Sequence, residues 1–236
     1  MALETNTSLT SQLPETLPWW RVLTYVYIHP TVESYENLLQ DPKASGRRVV
    51  LWMFLGNLIG TFFLMLMAAA FIALTNFGLS EINRPDLPTF WGMLAVVFAF
   101  ELVMITGMAV VGLLTGTGIL QMISKAFGGS GSYSKLLYLI GAITIPPTLL
   151  NMIPFINLLV TPVAWYGLYL EVVAVKTIHR LSWGKASAVV LIPVVVTIVM
   201  AVVFFFLYFL FFFVFFSSQF PEFFPDIIQN LSAFAP

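Results

Sequence analysis

Long apolar runs separated by short polar segments dominate the chain, and their lengths predict its elements. A helix needs roughly 20 apolar residues to cross the hydrocarbon core of a bilayer, because each residue advances about 1.5 Å. The runs that approach or exceed this length are residues 49–74, 90–119, 136–150, 155–175 and 186–216. The pattern therefore predicts an all-α, polytopic membrane helix bundle with five transmembrane helices (49–216), between an N-terminal segment (1–48) and a short tail (217–236).

The third and fourth runs are short and interrupted by proline. Pro146 and Pro147 lie inside the third run, and residues 151–154 form a tight uncharged turn before the fourth. The two runs are either two spans or a re-entrant hairpin that never crosses, and short broken helices are also typical of transporter sites. Both alternatives place Lys135 and Lys176 on the same side, so the rest of the topology does not depend on the choice.

The distribution of basic residues orients the predicted spans, because Lys and Arg concentrate in cytoplasmic loops. They lie before the first span, between the second and third, and between the fourth and fifth; only Arg84 falls in a loop on the other side. We therefore predict a cytoplasmic N-terminus and an extracytoplasmic C-terminal tail.

The segment before the first span carries an apolar and aromatic stretch, residues 19–28, that is too short to cross. Its Trp and Tyr side chains suit the headgroup region. A short helix is predicted next, with Thr31 as its N-cap, Glu33 in its first turn and Pro42 just beyond its end. This segment either lies on the cytoplasmic membrane surface or packs beneath the bundle.

Composition excludes most soluble functions. Hydrophobic residues make up 59% of the chain and charged residues 9%, whereas about a quarter of the residues in soluble domains are charged. The net charge of −1 gives no basic field for nucleic acid, and the absence of Cys excludes thiolate sites. Since there is no Ser/His/Asp set, carboxylate pair or dinucleotide fingerprint, we predict neither an enzyme nor a cofactor.

Two acidic residues lie within the predicted spans. Glu101 falls near mid-membrane, where a charge costs about 2.5–3.5 kcal/mol, so its side chain should face the bundle. It is either a proton relay or cation site, or a protonated acid that bonds across helices, for example to Asn57. Glu171 lies four residues from the cytoplasmic end of its span and can reach interfacial water. A structural role is the favoured interpretation for both acids.

Two pairs of glycines have the spacing of helix-contact motifs. Gly56 and Gly60 form a GxxxG in the first span, and Gly112 and Gly116 repeat it in the second. Small residues four apart let another helix approach closely. Packing inside the protein is the favoured interpretation, with dimerisation as the alternative.

A glycine-rich loop, with Gly128, Gly129 and Gly131, precedes the third span. A phosphate-binding loop needs Gly-Lys-[Ser/Thr] at the start of a helix, but here Lys135 is followed by Leu136. The loop is therefore predicted to be a flexible turn between two spans.

The remaining chemistry is sparse. His29 and His179 stand alone outside the predicted spans, without clustered carboxylates, so no metal site is predicted. Residues 204–216 contain nine Phe, which predict a lipid-facing surface, with a strip for a flat ligand or a neighbouring helix as the alternative.

Three stretches of sequence resemble the Yip domain family of Ypt/Rab-interacting proteins. They are HPTVESYENLLQDP, AFGGSGSYSKLLYLIGAITIPPTLL and EVVAVKTIHRLSWGKASAVVLIPVVV. The resemblance lies in the Gly-Gly loop before the third span, the proline within it, and the His and Lys-Ala before the last span. It covers about residues 20–205 and implies a five-span membrane protein with a cytoplasmic N-terminus.

The resemblance also bears on partners and location. Eukaryotic members are tied to Rab GTPases and vesicle traffic, and carry a longer N-terminal region with a DLYGP-type motif. This chain has 48 residues before its first predicted span and no such motif, which argues against a Rab-type GTPase as partner. The chain is more similar to the bacterial members, which implies the bacterial cytoplasmic membrane.

Three functions follow as hypotheses. The favoured one is a membrane scaffold or accessory subunit that contacts lipids and other integral membrane proteins, and no nucleic acid. The second is a small transporter or channel that uses Glu101 and the proline-broken spans. The third is a lipid or membrane-organisation protein that acts through its aromatic N-terminal segment.

Overall fold

The computed structural model describes residues 17–78, 87–151, 153 and 157–219, with side chains for all of these except 72–78, 87–91, 93, 94, 101, 157–161 and 218. Over these ranges the regular structure is entirely α-helical, which confirms the predicted class. The helices are α1 (Trp19–Ile28), α2 (Val32–Leu38), α3 (Gly46–Gly78), α4 (Leu87–Ala126), α5 (Tyr133–Asn151), α6 (Asn157–His179) and α7 (Trp183–Gln219).

Four helices are long and apolar enough, over their described residues, to cross a membrane. These candidate spans are Gly46–Phe71, Ala95–Ala126, Tyr133–Asn151 and Trp183–Ser217. They fall on the first, second, third and fifth predicted spans, so the chain is a multi-pass membrane protein. The helix α6 covers the fourth predicted span without being among them, and a count of five spans stays a prediction, as does the orientation.

The two short N-terminal helices are held by the longer ones. Thr31 caps α2 as predicted, because its hydroxyl accepts a hydrogen bond from the Ser34 amide at 3.1 Å. The helix α1 contacts α5 and α2 contacts α6. The segment therefore packs against the bundle, while Trp19 and Trp20 remain half exposed. A position on the membrane surface stays a prediction.

Residues up to Val190 form one structural unit, and its core is centred on α5. Every side chain of α5 from Leu136 to Ile143 is buried, and the helix contacts α1, α3, α4 and α6. The residues from Leu191 onward form a second unit, whose described part is the remainder of α7. Its phenylalanines are largely exposed, as a lipid-facing surface requires.

A proline in α5 explains how α1 is attached. Pro147 has no N–H, so the carbonyl of Ile143 lacks its usual partner one turn later. The hydroxyl of Tyr27 in α1 donates to that carbonyl at 2.6 Å. The Tyr166 hydroxyl of α6 donates in turn to the Tyr27 carbonyl at 3.0 Å. Tyr27 thus connects α1 to two helices of the core.

Arg48, near the start of α3, connects the segments on either side of the short helices. Its guanidinium forms a salt bridge with Asp41 at 3.0 Å and donates a hydrogen bond to the Leu17 carbonyl. It also lies 4.6 Å from the ring centroid of Trp52, within the range of a cation–π contact. One side chain therefore fixes both ends of the α1–α2 segment to α3.

Candidate functional site

The glycine-rich loop begins as a helix cap at the end of α4. The Gly129 amide donates to the Ser124 carbonyl at 2.9 Å, and the Gly128 amide donates to the Lys125 carbonyl at 3.0 Å. This pair of bonds is a Schellman motif, which requires a left-handed residue just beyond the helix. Gly128 supplies it with a φ of 89°. The loop therefore begins as a helix cap with defined hydrogen bonds and joins α4 to α5, as the predicted turn does; its flexibility stays a prediction.

The loop then packs directly on His179, the last residue of α6. The Gly131 amide donates to His179 Nδ1 at 3.1 Å. A Cβ at Gly129 would lie 2.7 Å from the same Nδ1, and a Cβ at Gly131 would collide with Ile178. Glycine is needed at both positions because the backbone approaches α6 so closely.

A row of polar side chains on α4 completes this junction. Thr117, Gln121 and Ser124 are all buried and share one helix face by their spacing. The Gln121 amide group donates to the Gly131 carbonyl at 2.8 Å. Among the described residues, Gln121 Oε1, Ser124 Oγ and His179 Nε2 are buried without a hydrogen-bond partner. We call His179, the loop 128–131 and these α4 side chains the histidine–glycine junction.

The protonation state of His179 follows from its contacts. Burial, and to a smaller extent the positive charge of Lys125, lowers the pKa of His179 below its ordinary value. Since Nδ1 accepts a hydrogen bond, the neutral imidazole carries its proton on Nε2. His179 is only 2% exposed, so the imidazole is closed to solvent and suits a structural contact better than proton transfer with a bound molecule.

Sequence reasoning treated His179 as an isolated residue and missed Gln121 altogether. The structure brings together two of the stretches that carry the family resemblance, because the glycine loop and the segment around His179 are adjacent in space. Lys185 adds a second link between them, since its ammonium donates to the Phe127 carbonyl at 3.3 Å. Both segments carry the same family resemblance, and this was the one feature of the sequence that could have indicated that they lie together.

The predicted intramembrane polar residues do not form one site among the described side chains. Asn57 is buried and donates to the Met53 carbonyl of its own helix at 2.8 Å, while its Oδ1 has no partner there. The side chain of Glu101 lies outside the described residues, and so does its predicted bond to Asn57. Glu171 is partly buried near Tyr27: burial first, and then the charge of Glu171, raises the pKa of the Tyr27 hydroxyl.

The two glycine pairs have different surroundings. Gly56 faces α5, where an added Cβ would lie 3.1 Å from Leu149 Cδ2, and Gly60 is partly buried. Gly112 and Gly116 are exposed, and an added Cβ would meet no atom within 4 Å at either position. Only the first pair therefore includes an observed internal helix contact.

The described residues hold no cluster of His, Cys, Asp or Glu that could bind a metal ion. His29 is exposed and stacks on Tyr25, with 4.8 Å between ring centroids. His29 and His179 therefore have different partners in the structure.

The long apolar helices and their buried connections define a polytopic α-helical membrane protein. The family model of the Yip1 domain matches residues 24–205, which is most of the chain, and the protein therefore belongs to the Yip1 domain family. This confirms the resemblance, and the histidine–glycine junction lies entirely within the matched range. A search of curated proteins and a search of solved structures each returned no match.

Proposed function

We propose that the protein is a membrane scaffold or accessory subunit, and that the Gly112–Gly116 face of α4 receives a transmembrane helix of another integral membrane protein. The observation that carries this proposal is the open space at both glycines. Four-residue spacing of small side chains lets two helix backbones approach closely in a bilayer. Membership of a family of multi-pass membrane proteins without a recognised catalytic set is consistent with this role.

The neighbouring side chains support the same face. Thr115 lies between the two glycines in sequence, and its hydroxyl bonds to the Val111 carbonyl of its own helix at 2.7 Å. Its polar group is therefore satisfied without a partner, which leaves a compact surface for van der Waals contact. Met108 and Ile119 flank it along the helix and are exposed, so apolar side chains border the small ones.

The test compares two variants of α4, a double substitution and a single control. Gly112→Ile with Gly116→Ile should fill the face and remove a partner that co-purifies stoichiometrically with the tagged wild type after gentle extraction. Gly92→Ile is the matched control, because Gly92 is also exposed on α4 with nothing within 4 Å of an added Cβ. Equal partner recovery from all three proteins, measured by quantitative mass spectrometry, would contradict the proposal.

A second experiment distinguishes another protein from a second copy of this chain. The chain has no cysteine, so Gly116→Cys introduces a single thiol. Oxidation in native membranes should leave this variant without a self-crosslinked dimer. A strong disulfide dimer would assign the face to a second copy and contradict an accessory role at this surface.

Fewer observations support the other two hypotheses, transport and lipid organisation. Transport through Glu101 stays a prediction, because its side chain lies outside the described residues. A role in lipid organisation is favoured by one observation, the exposure of Trp19, Trp20 and Ile28 on α1 while its other face is packed. The test is liposome binding by a peptide of residues 17–42. Binding that is lost when Trp19 and Trp20 are both changed to Ala would support that role.

A further inference from the structure

A groove of about 500 Å³ opens between α3, α4 and α5, within the first structural unit. Its mouth is formed by the first turns of α3 and α5, with Gly46, Arg47, Tyr133 and Ser134. Its walls are apolar and consist of Val50, Leu51, Phe54, Val110, Leu114 and Leu137. The groove therefore combines a polar, basic entrance with an apolar interior that runs along transmembrane helices.

The charge at the entrance is uncompensated within the described part of the chain. Arg48 is bound to Asp41, whereas the neighbouring Arg47 is exposed and forms no salt bridge there. The Ser134 hydroxyl accepts a hydrogen bond from the Gly46 amide at 3.2 Å, which leaves its own proton free to donate. The guanidinium and this hydroxyl offer donors to an anion, and the start of a helix adds a favourable dipole.

We propose that this groove binds one anionic glycerophospholipid, with its phosphate at Arg47 and Ser134 and one acyl chain along Val50, Phe54 and Leu114. Basic pockets between transmembrane helices are a recurrent means of binding anionic headgroups. A guanidinium suits phosphate because its planar set of donors matches two phosphate oxygens. The bound lipid is a ligand of the protein in its own right and does not depend on the partner helix proposed at Gly112 and Gly116.

The size of the groove favours this occupant over a helix. Its volume lies within the range of pockets for small ligands, about 300–1,000 Å³. A helix with side chains is about 10–12 Å across and would need a wider surface. A second groove of similar volume, between α3 and α4, is lined only by apolar residues, among them Ile59, Phe62 and Phe98. That groove has no group to select a headgroup and serves as an internal comparison.

Native mass spectrometry of the purified full-length protein tests the proposal. The protein in detergent is titrated with phosphatidylglycerol or phosphatidylcholine of identical acyl chains. The wild type should retain one phosphatidylglycerol in preference to phosphatidylcholine. Arg47→Gln should reduce that preference about fivefold, the effect of one basic residue near a charged lipid. Lys43→Gln, which removes an exposed charge at the same end but outside the groove, should leave the preference unchanged.

A second pair of variants tests the apolar part of the groove. Leu51→Trp should fill the space and displace the lipid whatever its headgroup. Leu55→Trp is the matched control, since Leu55 is similarly exposed on α3 and lines neither groove. Equal binding of the two lipids by the wild type, or unchanged preference in Arg47→Gln, would overturn the proposal. Because no partner protein is present, neither outcome bears on the scaffold function.

Discussion

The neighbouring helices α4 and α5 belong to one structural unit but occupy opposite environments. Half of the residues in α5 are buried, whereas most of those in α4 are exposed over its described part. Yet α5 has the lower mean hydropathy of the two. In a bilayer an apolar side chain gains nothing by leaving lipid for protein. Mean hydropathy therefore does not indicate which helix is buried inside the bundle. In α5 the enclosure goes together with a close contact at a small residue and a hydrogen bond from another helix.

Two features of α5 show how this enclosure works. Gly141 removes a side chain at the point where Val49 of α3 crosses, and an added Cβ would collide with it. Further along, Pro147 frees the Ile143 carbonyl that receives the Tyr27 hydroxyl. The exposed face of α4 has glycines too, but they meet no neighbour in the described part of the structure.

The largest effect should come from closing the gap at Gly141. Gly141→Leu would drive a side chain into Val49 and Leu113, and overpacking of this kind costs about 3 kcal/mol. Most of the protein should then aggregate on extraction, or melt at a much lower temperature in fluorescence-detected size exclusion. Gly107→Leu is the control, since Gly107 is exposed on α4 with open space around it. Equal melting temperatures of the two variants would contradict the tight packing of α5.

A smaller loss is expected from Tyr27→Phe, which removes the hydroxyl and leaves the buried Ile143 carbonyl without a donor. The expected cost is about 1–2 kcal/mol in the free energy of unfolding. Pro147→Ala restores a backbone N–H to α5, so the same Tyr27→Phe change should cost much less in that background. Tyr169→Phe, at an exposed tyrosine of α6, should have almost no effect. Equal costs in both backgrounds would show that the proline does not create the need for Tyr27.

The smallest effect concerns His179 and appears as a dependence on pH. The folded protein holds this imidazole with a pKa below 6.5, whereas the unfolded chain takes up a proton near that pH. Below about pH 6.5 the unfolded state therefore binds more protons, and the contribution of His179 to stability falls as the pH falls.

His179→Asn provides the comparison, because its side-chain oxygen keeps an acceptor near Gly131 and does not titrate. The difference in melting temperature between wild type and variant should change between pH 5 and pH 7.5 in favour of the wild type at higher pH. Parallel pH profiles of the two proteins would contradict a neutral, buried imidazole at the junction.

The sequence predicted the helical class and the positions of the long helices because apolar run length is a local signal. It left the placement of α1 open, since an apolar face looks the same whether it meets lipid or another helix. The GxxxG spacing likewise did not predict whether each glycine contacts another helix of this protein. Gly56 faces Leu149, whereas Gly112 faces open space.

The histidine–glycine junction could not be predicted from local pattern, because its partners are far apart in the chain. Gly131 and His179 are separated by 48 residues, and only the fold brings them within hydrogen-bond distance. The loop itself was recognisable as glycine-rich, but the reason for each glycine lies in what it contacts. Gly128 serves the cap of α4, whereas Gly129 and Gly131 serve the approach to α6.

The hydrogen bond from Tyr27 to Ile143 has a consequence for biosynthesis. It joins residues 116 positions apart, so α1 leaves the ribosome long before its acceptor in α5 exists. Before α5 and α6 have been made, only the contacts of Arg48 can tie this segment to the rest of the protein, and the aromatic side chains of α1 suit the lipid interface. We therefore expect α1 to dock on the core late in assembly, and a nascent chain arrested before α5 should lack the bond from Tyr27 to Ile143.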